Sequence, residues 1–269
     1  MSEPSYRWDA GDYALHSSAQ AQWARELLEK LALDGTEAVL DIGSGDGRVT
    51  AALAARVPRG SVVGIDSSAD MVAAACRAFP PEKHPNLSFA VMNALELEYE
   101  ERFDLVFSNA TLHWVRDHPR VLEGVRRALK PSGRLLFQMG GRGNAAEILR
   151  VLEELARQPP WDAYLGDFPL PYAFYGPEEY GSWLASAGLE PRRMELLPKE
   201  MRQQGRAGLA GWIRTTWLPY TERLPQELRE AFVSAVVERY LGEHPADPGG
   251  TVRVRMVRLE VEAVRASSA

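Results

Sequence analysis

The stretch LDIGSGDGRVT, residues 40–50, places glycines at 43, 45 and 47 directly after a short apolar run. Glycine accepts left-handed backbone and close approach at no steric cost, so three of them at alternate positions narrow what this part of the chain can become. An apolar run that carries Asp41, bends through Gly43, Gly45 and Gly47 and opens into helical spacing is the strand-to-helix corner of an α/β layer. Residues 38–139 repeat that unit. AVLDI (38–42), SVVGID (61–66), LSFAVM (87–92), FDLVFS (103–108) and GRLLFQM (133–139) read as strands buried on both faces. Between them GRVTAALAARV, SADMVAAACRAF and HPRVLEGVRRALK carry apolar residues three and four apart and read as helices. Ser67 or Ser68 would cap the second, and Pro131 with Gly133 would stop the third.

Parallel strands joined by helices use right-handed crossovers, which predicts a Rossmann-like, doubly wound, mostly parallel α/β sheet with helices on both faces. SSAQAQWARELLEKLAL predicts a helix leading into the first strand. After Gly143 the pattern changes to helices, an aromatic and proline-rich connection over 161–180 suited to a lid or to packing on the sheet, and two late strands. EPRRMELLPKEM is one; GTVRVRMVRLEVEAVRA is the other, with Val252, Val254 and Met256 facing one way and Arg253, Arg255 and Val257 the other. The expectation is seven strands in a single structural domain: a covering helical segment over 1–34, a core over 35–143, and an inserted helical cap with the last strands over 144–269. A chain of 269 residues that is 45% hydrophobic can bury one large core. Its single cysteine, Cys76, excludes an internal disulfide and reads as a small core residue. The start of the chain lacks a secretory pattern, no apolar stretch spans a bilayer, and a net charge of −6 offers nucleic acid or anionic lipid no bulk attraction. The expected setting is the cytoplasm, as a monomer or homodimer handling a small molecule.

A nicotinamide cofactor is the first candidate for a glycine corner, because helix N-termini attract pyrophosphate. Its G-x-G-x-x-G spacing fails: Arg48 stands where the third glycine belongs, and Asp41 and Asp46 add negative charge. S-adenosylmethionine carries no phosphate and two positive groups, so acids beside the loop favour it. Asp66 lies 19 residues beyond Gly47, at the end of the second strand, where an acid accepts both ribose hydroxyls. The combination of Asp41, Gly43-x-Gly45-x-Gly47 and Asp66 over residues 35–140 resembles the class I S-adenosylmethionine-dependent methyltransferases. That resemblance implies further cofactor contacts from Ser67 and Met71, from Asn93 and Ala94 where the family usually has Asp-Ala, and from Asn109 and Ala110. Met71 also sits at core spacing with Ala75.

Three outer stretches, YALHSSAQAQWARELL, SNATLHWVRDH and WIRTTWLPYTERLP, resemble the trans-aconitate methyltransferase branch, which makes methyl esters of small carboxylic acids. The resemblance implies that Tyr13, His16 and Gln20 close over the cofactor and that His113, Trp114 and the segment from Trp212 to Trp217 border the acceptor. Arg214 would anchor a carboxylate, since a guanidinium matches it in a fork. Gln20 and Gln22 replace arginines expected in the aconitate enzymes, so a less charged acid is also compatible. Transfer to nitrogen, phenolic oxygen or carbon would instead enlist His16 or His113 as a base. A non-catalytic cofactor-binding protein is the remaining alternative. The scattered histidines and lone cysteine give no metal-site signature.

Overall fold

The computed structural model describes residues 18–266, with side chains placed from Gln22 onward. Tyr13 and His16 lie outside the described residues; Gln20 lies within a helix, but its side chain is outside the description. Helix α1 covers Ser18–Glu29. The first repeats follow as β1 Ala38–Ile42, α2 Arg48–Arg56, β2 Ser61–Asp66, α3 Ala69–Ala78 and β3 Leu87–Val91. Then come β4 Phe103–Asn109, a short 3-10 turn Leu112–Trp114, α4 His118–Ala128 and β5 Leu129–Gly140. The later elements are α5 Ala146–Ala156, α6 Asp162–Leu165, α7 Pro177–Ser186, β6 Leu189–Gln204, α8 Gly205–Thr216, α9 Leu218–Thr221, α10 Gln226–Glu243 and β7 Thr251–Arg265.

The seven strands run in the order β3-β2-β1-β4-β5-β7-β6. The first five are parallel neighbours, and β7 runs antiparallel to β5. Successive residues of β1 feed opposite faces. Leu40 and Ile42 join a core with Val121 and Val125 of α4 and Tyr180 and Leu184 of α7, whereas Val39 joins Leu27 of α1 and Leu53 of α2. Each such side chain contributes about 1.5–3 kcal/mol on leaving water, which fixes the register of the central strands. Among the described residues no helix is long and apolar enough to cross a membrane.

Contacts divide the chain into two compact units. Residues 20–142 and 172–197, with the chain from Arg258 onward, form the sheet-based unit; residues 143–171 and 198–257 belong to the other. Within the second unit Trp212 and Trp217 are both buried and meet edge-on at 5.8 Å. Helical spacing does not relate them, because α8 ends at Thr216 and Trp217 occupies the junction with α9.

Two details depart from the sequence reading. Strand β5 begins at Leu129, because Phe103 pairs with Leu129 across a register shift that absorbs Pro131, with Ser132 at a φ of 63°. Cys76 is exposed: Met71, Val72 and Ala75 form the buried stripe of α3, and the next position turns outward.

Candidate active site

The strand order reverses between β1 and β4: after β1 the chain winds to β2 and β3 on one side, then returns to place β4 on the other. The carboxyl ends of these strands therefore open a crevice, the usual ligand position in such sheets. Four stretches gather there. The bend after β1 is tied to the end of β2, where Gly43 and Ser44 both donate to the Ile65 carbonyl at 2.7 and 2.9 Å. Asp66 closes β2, and its carboxylate accepts from Gly45 N–H at 3.0 Å and Ser68 N–H at 2.9 Å. Met92 N–H donates to the Asp66 carbonyl at 3.0 Å, which brings Asn93 and Ala94 to the same edge. Thr111 Oγ1 donates to the Gly43 carbonyl at 3.2 Å, so the segment carrying Asn109 and Ala110 abuts the glycine bend.

The three glycines answer different demands. All have positive φ, at 78°, 54° and 83° for Gly43, Gly45 and Gly47. A Cβ on Gly43 would fall 2.1 Å from Thr111 Oγ1, and one on Gly47 would fall 2.7 Å from the Phe89 ring. A Cβ on Gly45 would meet nothing within 4 Å. Gly43 and Gly47 are thus required by the chain's own packing, and Gly45 is the one that faces open space.

Buried Asp41 accepts from Thr50 Oγ1 at 2.7 Å. Burial pushes its carboxyl up to about 7; the Thr50 hydroxyl opposes this rise and the Asp66 charge adds to it. Burial also raises Asp66, partly offset by the N–H groups of Ser68 and Gly45. Asp46 is engaged by Arg48 at 2.6 Å on the surface. Ser68 is the residue that caps α3, accepting from Met71 N–H at 3.3 Å, while Ser67 is exposed. Met71 is buried; Asn93 is exposed and accepts from Leu95 N–H at 3.0 Å. Ala110 adopts a φ of 57° and donates to the Gln138 carbonyl at 2.8 Å. Asn109 Oδ1 is buried with no hydrogen-bond partner among the described residues.

Beyond Ala110, His113 lies among Trp114, Tyr172 and Phe174, with ring centroids at 5.7, 6.3 and 5.9 Å. Its Nδ1 accepts from Gly140 N–H at 3.4 Å. Burial holds its pKa well below the usual imidazole range, and the positive charge of Arg258 acts in the same direction. His118, not singled out from sequence, is enclosed between Tyr180 Oη at 2.6 Å and the Leu112 carbonyl at 2.8 Å. The carbonyl can only accept, so Nε2 carries the proton and Nδ1 accepts from Tyr180. Burial lowers this histidine to about 4.

Arg214 lies on an exposed face of α8, where its guanidinium donates to both carboxylate oxygens of Glu230 at 2.8 and 3.2 Å. A different cation is buried. Arg258 on β7 is 3% exposed and lies 4.5 Å over the Trp23 ring. Two residues on, buried Glu260 accepts from Lys30 at 2.5 Å, Arg193 at 2.5 Å and Gln138 Nε2 at 2.9 Å. Burial would raise Glu260, and these three donors more than reverse it. The signal for this pair was present in the sequence: carrying the alternation of Val252, Val254 and Met256 two steps further puts Arg258 and Glu260 on the inward face.

These features fit a cationic nucleoside without phosphate. The crevice offers open space over Gly45, a carboxylate held by two backbone N–H groups at Asp66 and, among the described residues, an unpartnered buried acceptor at Asn109. Comparison with known proteins agrees. A methyltransferase domain family matches residues 39–133. The chain belongs to the class I S-adenosylmethionine-dependent methyltransferases, and it is an enzyme of that class. It is 32% identical to the trans-aconitate 2-methyltransferase of Methylobacterium radiotolerans over 97% of this chain and 99% of that one. It is 31% identical to that of Azoarcus sp. strain BH72 over 96% and 99%. Among solved structures, Haemonchus contortus phosphoethanolamine N-methyltransferase 2 with S-adenosyl-L-methionine matches with a TM-score of 0.59 at 19% identity. That match covers 96% of this chain and 57% of the other, and it concerns the fold alone.

Proposed function

We propose that this methyltransferase makes methyl esters of a small carboxylic acid. The observation that carries the reading is the state of His113. Because Nδ1 receives the Gly140 N–H, the ring proton resides on Nε2, and the imidazole is a hydrogen-bond donor with no free nitrogen to take a proton. Amines, phenols and carbon acids need their proton removed; a carboxylic acid, with a pKa near about 4, arrives ionised. The whole-length likeness to trans-aconitate 2-methyltransferases supports the same class of acceptor.

In this reading Asp66 receives the ribose hydroxyls of S-adenosylmethionine and Gly45 leaves room for its main body. Asn109 Oδ1 accepts from its ammonium, and Met71, Asn93 and Ala94 border the adenine. When bound, the cofactor supplies a sulfonium methyl: a carboxylate oxygen pair forms the O–C bond as the C–S pair returns to sulfur, leaving S-adenosylhomocysteine and a neutral ester. No proton moves. The chain's task is alignment and exclusion of water, served at His113 by the packed rings of Trp114, Tyr172 and Phe174.

A panel of small acids, amines and phenols, read by release of S-adenosylhomocysteine, tests this. Acids should turn over, with kcat/KM level above about pH 6. Turnover confined to amines or phenols, with an inflection from a titrating base, would sink the ester reading.

A further inference from the structure

The loop after β4 that carries His113 is tied down along its length by the segment that leads into α7. Ala173 N–H donates to the His113 carbonyl at 2.8 Å, and Tyr175 Oη donates to the Arg116 carbonyl at 2.8 Å. Further on, Tyr180 of α7 donates to Nδ1 of His118 at 2.6 Å, and the same imidazole donates from Nε2 to the Leu112 carbonyl at 2.8 Å. Tyr180 Oη also lies 3.4 Å from Met139 Sδ, but its single proton goes to the imidazole nitrogen, the stronger acceptor. His118 and Tyr180 are both fully enclosed. A tether of two buried side chains thus runs from α7 to the first residue of the 3-10 turn Leu112–Trp114. All of these residues belong to the sheet-based unit.

A single 3-10 turn has poor internal hydrogen-bond geometry, so its orientation is set by what holds it from outside. An apolar pair of the same shape could fill the space beneath α7 at little cost. A satisfied polar pair does what packing does not: it fixes one arrangement of the backbone it touches. Here that backbone presents His113. Its Nδ1 receives the Gly140 N–H at 3.4 Å, near the end of hydrogen-bonding range, so a shift of roughly 0.3 Å at the turn would part them and release the ring's tautomer. We propose that His118 and Tyr180 are positioning residues for methyl transfer, holding the turn so that His113 keeps its proton on Nε2. The inference rests on the ester-forming reading above, in which His113 is a donor beside the acceptor, and it names what keeps it one.

The test uses the full chain labelled with 15N-histidine and loaded with S-adenosylhomocysteine. The His113 ring signals, assigned by their absence from His113→Asn, should show a protonated Nε2 and a bare Nδ1. Tyr180→Phe keeps the ring and removes the donor; in it the His113 signals should move toward an average of the two tautomers. With the best substrate of the panel, kcat should fall about tenfold, while KM stays within about threefold and S-adenosylhomocysteine affinity within about twofold. His118→Leu should lose at least as much kcat. His118→Gln keeps an N–H for the Leu112 carbonyl and an oxygen for Tyr180, and should stay within about threefold of wild type. Leu184→Val trims the packing of the same helix without touching the tether and should leave kcat within about twofold.

An unchanged His113 tautomer in Tyr180→Phe would overturn the inference whatever the kinetics, and so would a kcat within about twofold of wild type beside a changed tautomer. A loss in Leu184→Val as large as in Tyr180→Phe, or no recovery in His118→Gln over His118→Leu, would mark mere packing and overturn it too. If His118→Leu does not fold, Tyr180→Phe and His118→Gln decide. An enzyme that methylates acids with these variants unaffected defeats this inference alone. One that turns over amines or phenols and no acid defeats the ester reading, and the His113 signals in Tyr180→Phe still decide whether the tether positions the ring.

Discussion

The glycine bend and the β5–β7 seam are built in opposite ways. At the glycine bend the chain supplies carboxylates and bare backbone: Asp41, Asp66 and the N–H of Gly45, all within one strand-turn-helix unit and its neighbour. At the β5–β7 seam Lys30 and Arg193, far apart in the sequence, converge on buried Glu260, and Arg258 is buried two residues before it on β7. The first is written within neighbouring repeats, and the second is assembled from residues far apart in the chain.

That contrast can be broken most severely at the glycines. Gly43→Ala should cost about 3 kcal/mol of stability, since it combines a left-handed backbone with overlap on Thr111. Gly45→Ala should cost only about 1 kcal/mol in the urea midpoint yet lower S-adenosylhomocysteine affinity, because its Cβ enters open space. Equal stability losses at the two positions would remove the distinction between a packing glycine and a ligand-facing one.

Asp66→Ala comes next. Loss of a charged acceptor for two hydroxyls should weaken S-adenosylhomocysteine by about 2–3 kcal/mol in a calorimetric titration, on the order of 100-fold. An affinity within a factor of two of wild type would mean that the cofactor lies elsewhere.

A smaller effect is read with pH. The folded pKa of Asp41 is raised, so the native state binds the extra proton between its unfolded value and about 7, and stability contributed there is lost as pH rises through that window. Asp41→Asn should remove a decline of about 2 kcal/mol between pH 5 and 7.5 in urea unfolding. His118 has the opposite sign: its folded pKa is depressed to about 4, so its contribution is present above the unfolded value near 6.5 and lost as pH falls. His118→Gln should therefore flatten the acid limb that Asp41→Asn steepens. Parallel changes in the two variants would contradict the opposed slopes.

The smallest change is expected at Arg214. Arg214→Ala removes a solvent-exposed pair with Glu230 and should leave kcat/KM for an acid within roughly twofold. A tenfold loss would restore Arg214 as the anchor of the acceptor.

What the sequence makes legible follows the range of the interactions. Strands buried on both faces and helices with apolar spacing are written locally, so residues 38–139 could be divided into their elements from the chain alone. The bend at Gly43–Gly47 and the acid at Asp66 are spaced within one repeat and could be paired by counting. The early start of β5 could not, because Leu129 becomes a strand residue only through its pairing with Phe103. Cys76 was misread because an alanine-rich helix gives little contrast between its faces. The contact of Trp212 with Trp217 could not be read from spacing, because the helix ends between them. Arg258 was missed for a different reason: the alternation was followed only as far as Val257, while the cation's neighbours Trp23 and His113 are more than 140 residues away in the chain.

The contact between Thr111 and Gly43 has an engineering consequence. Because the hydroxyl of one sits where the other would carry a side chain, the loop after β4 is keyed into the bend after β1 like a tooth into its socket. A chimera that imports residues 109–118 from another enzyme to change the acceptor would have to import a threonine-sized partner for position 43 as well. Otherwise the donor's half of the reaction would be displaced along with the recipient's.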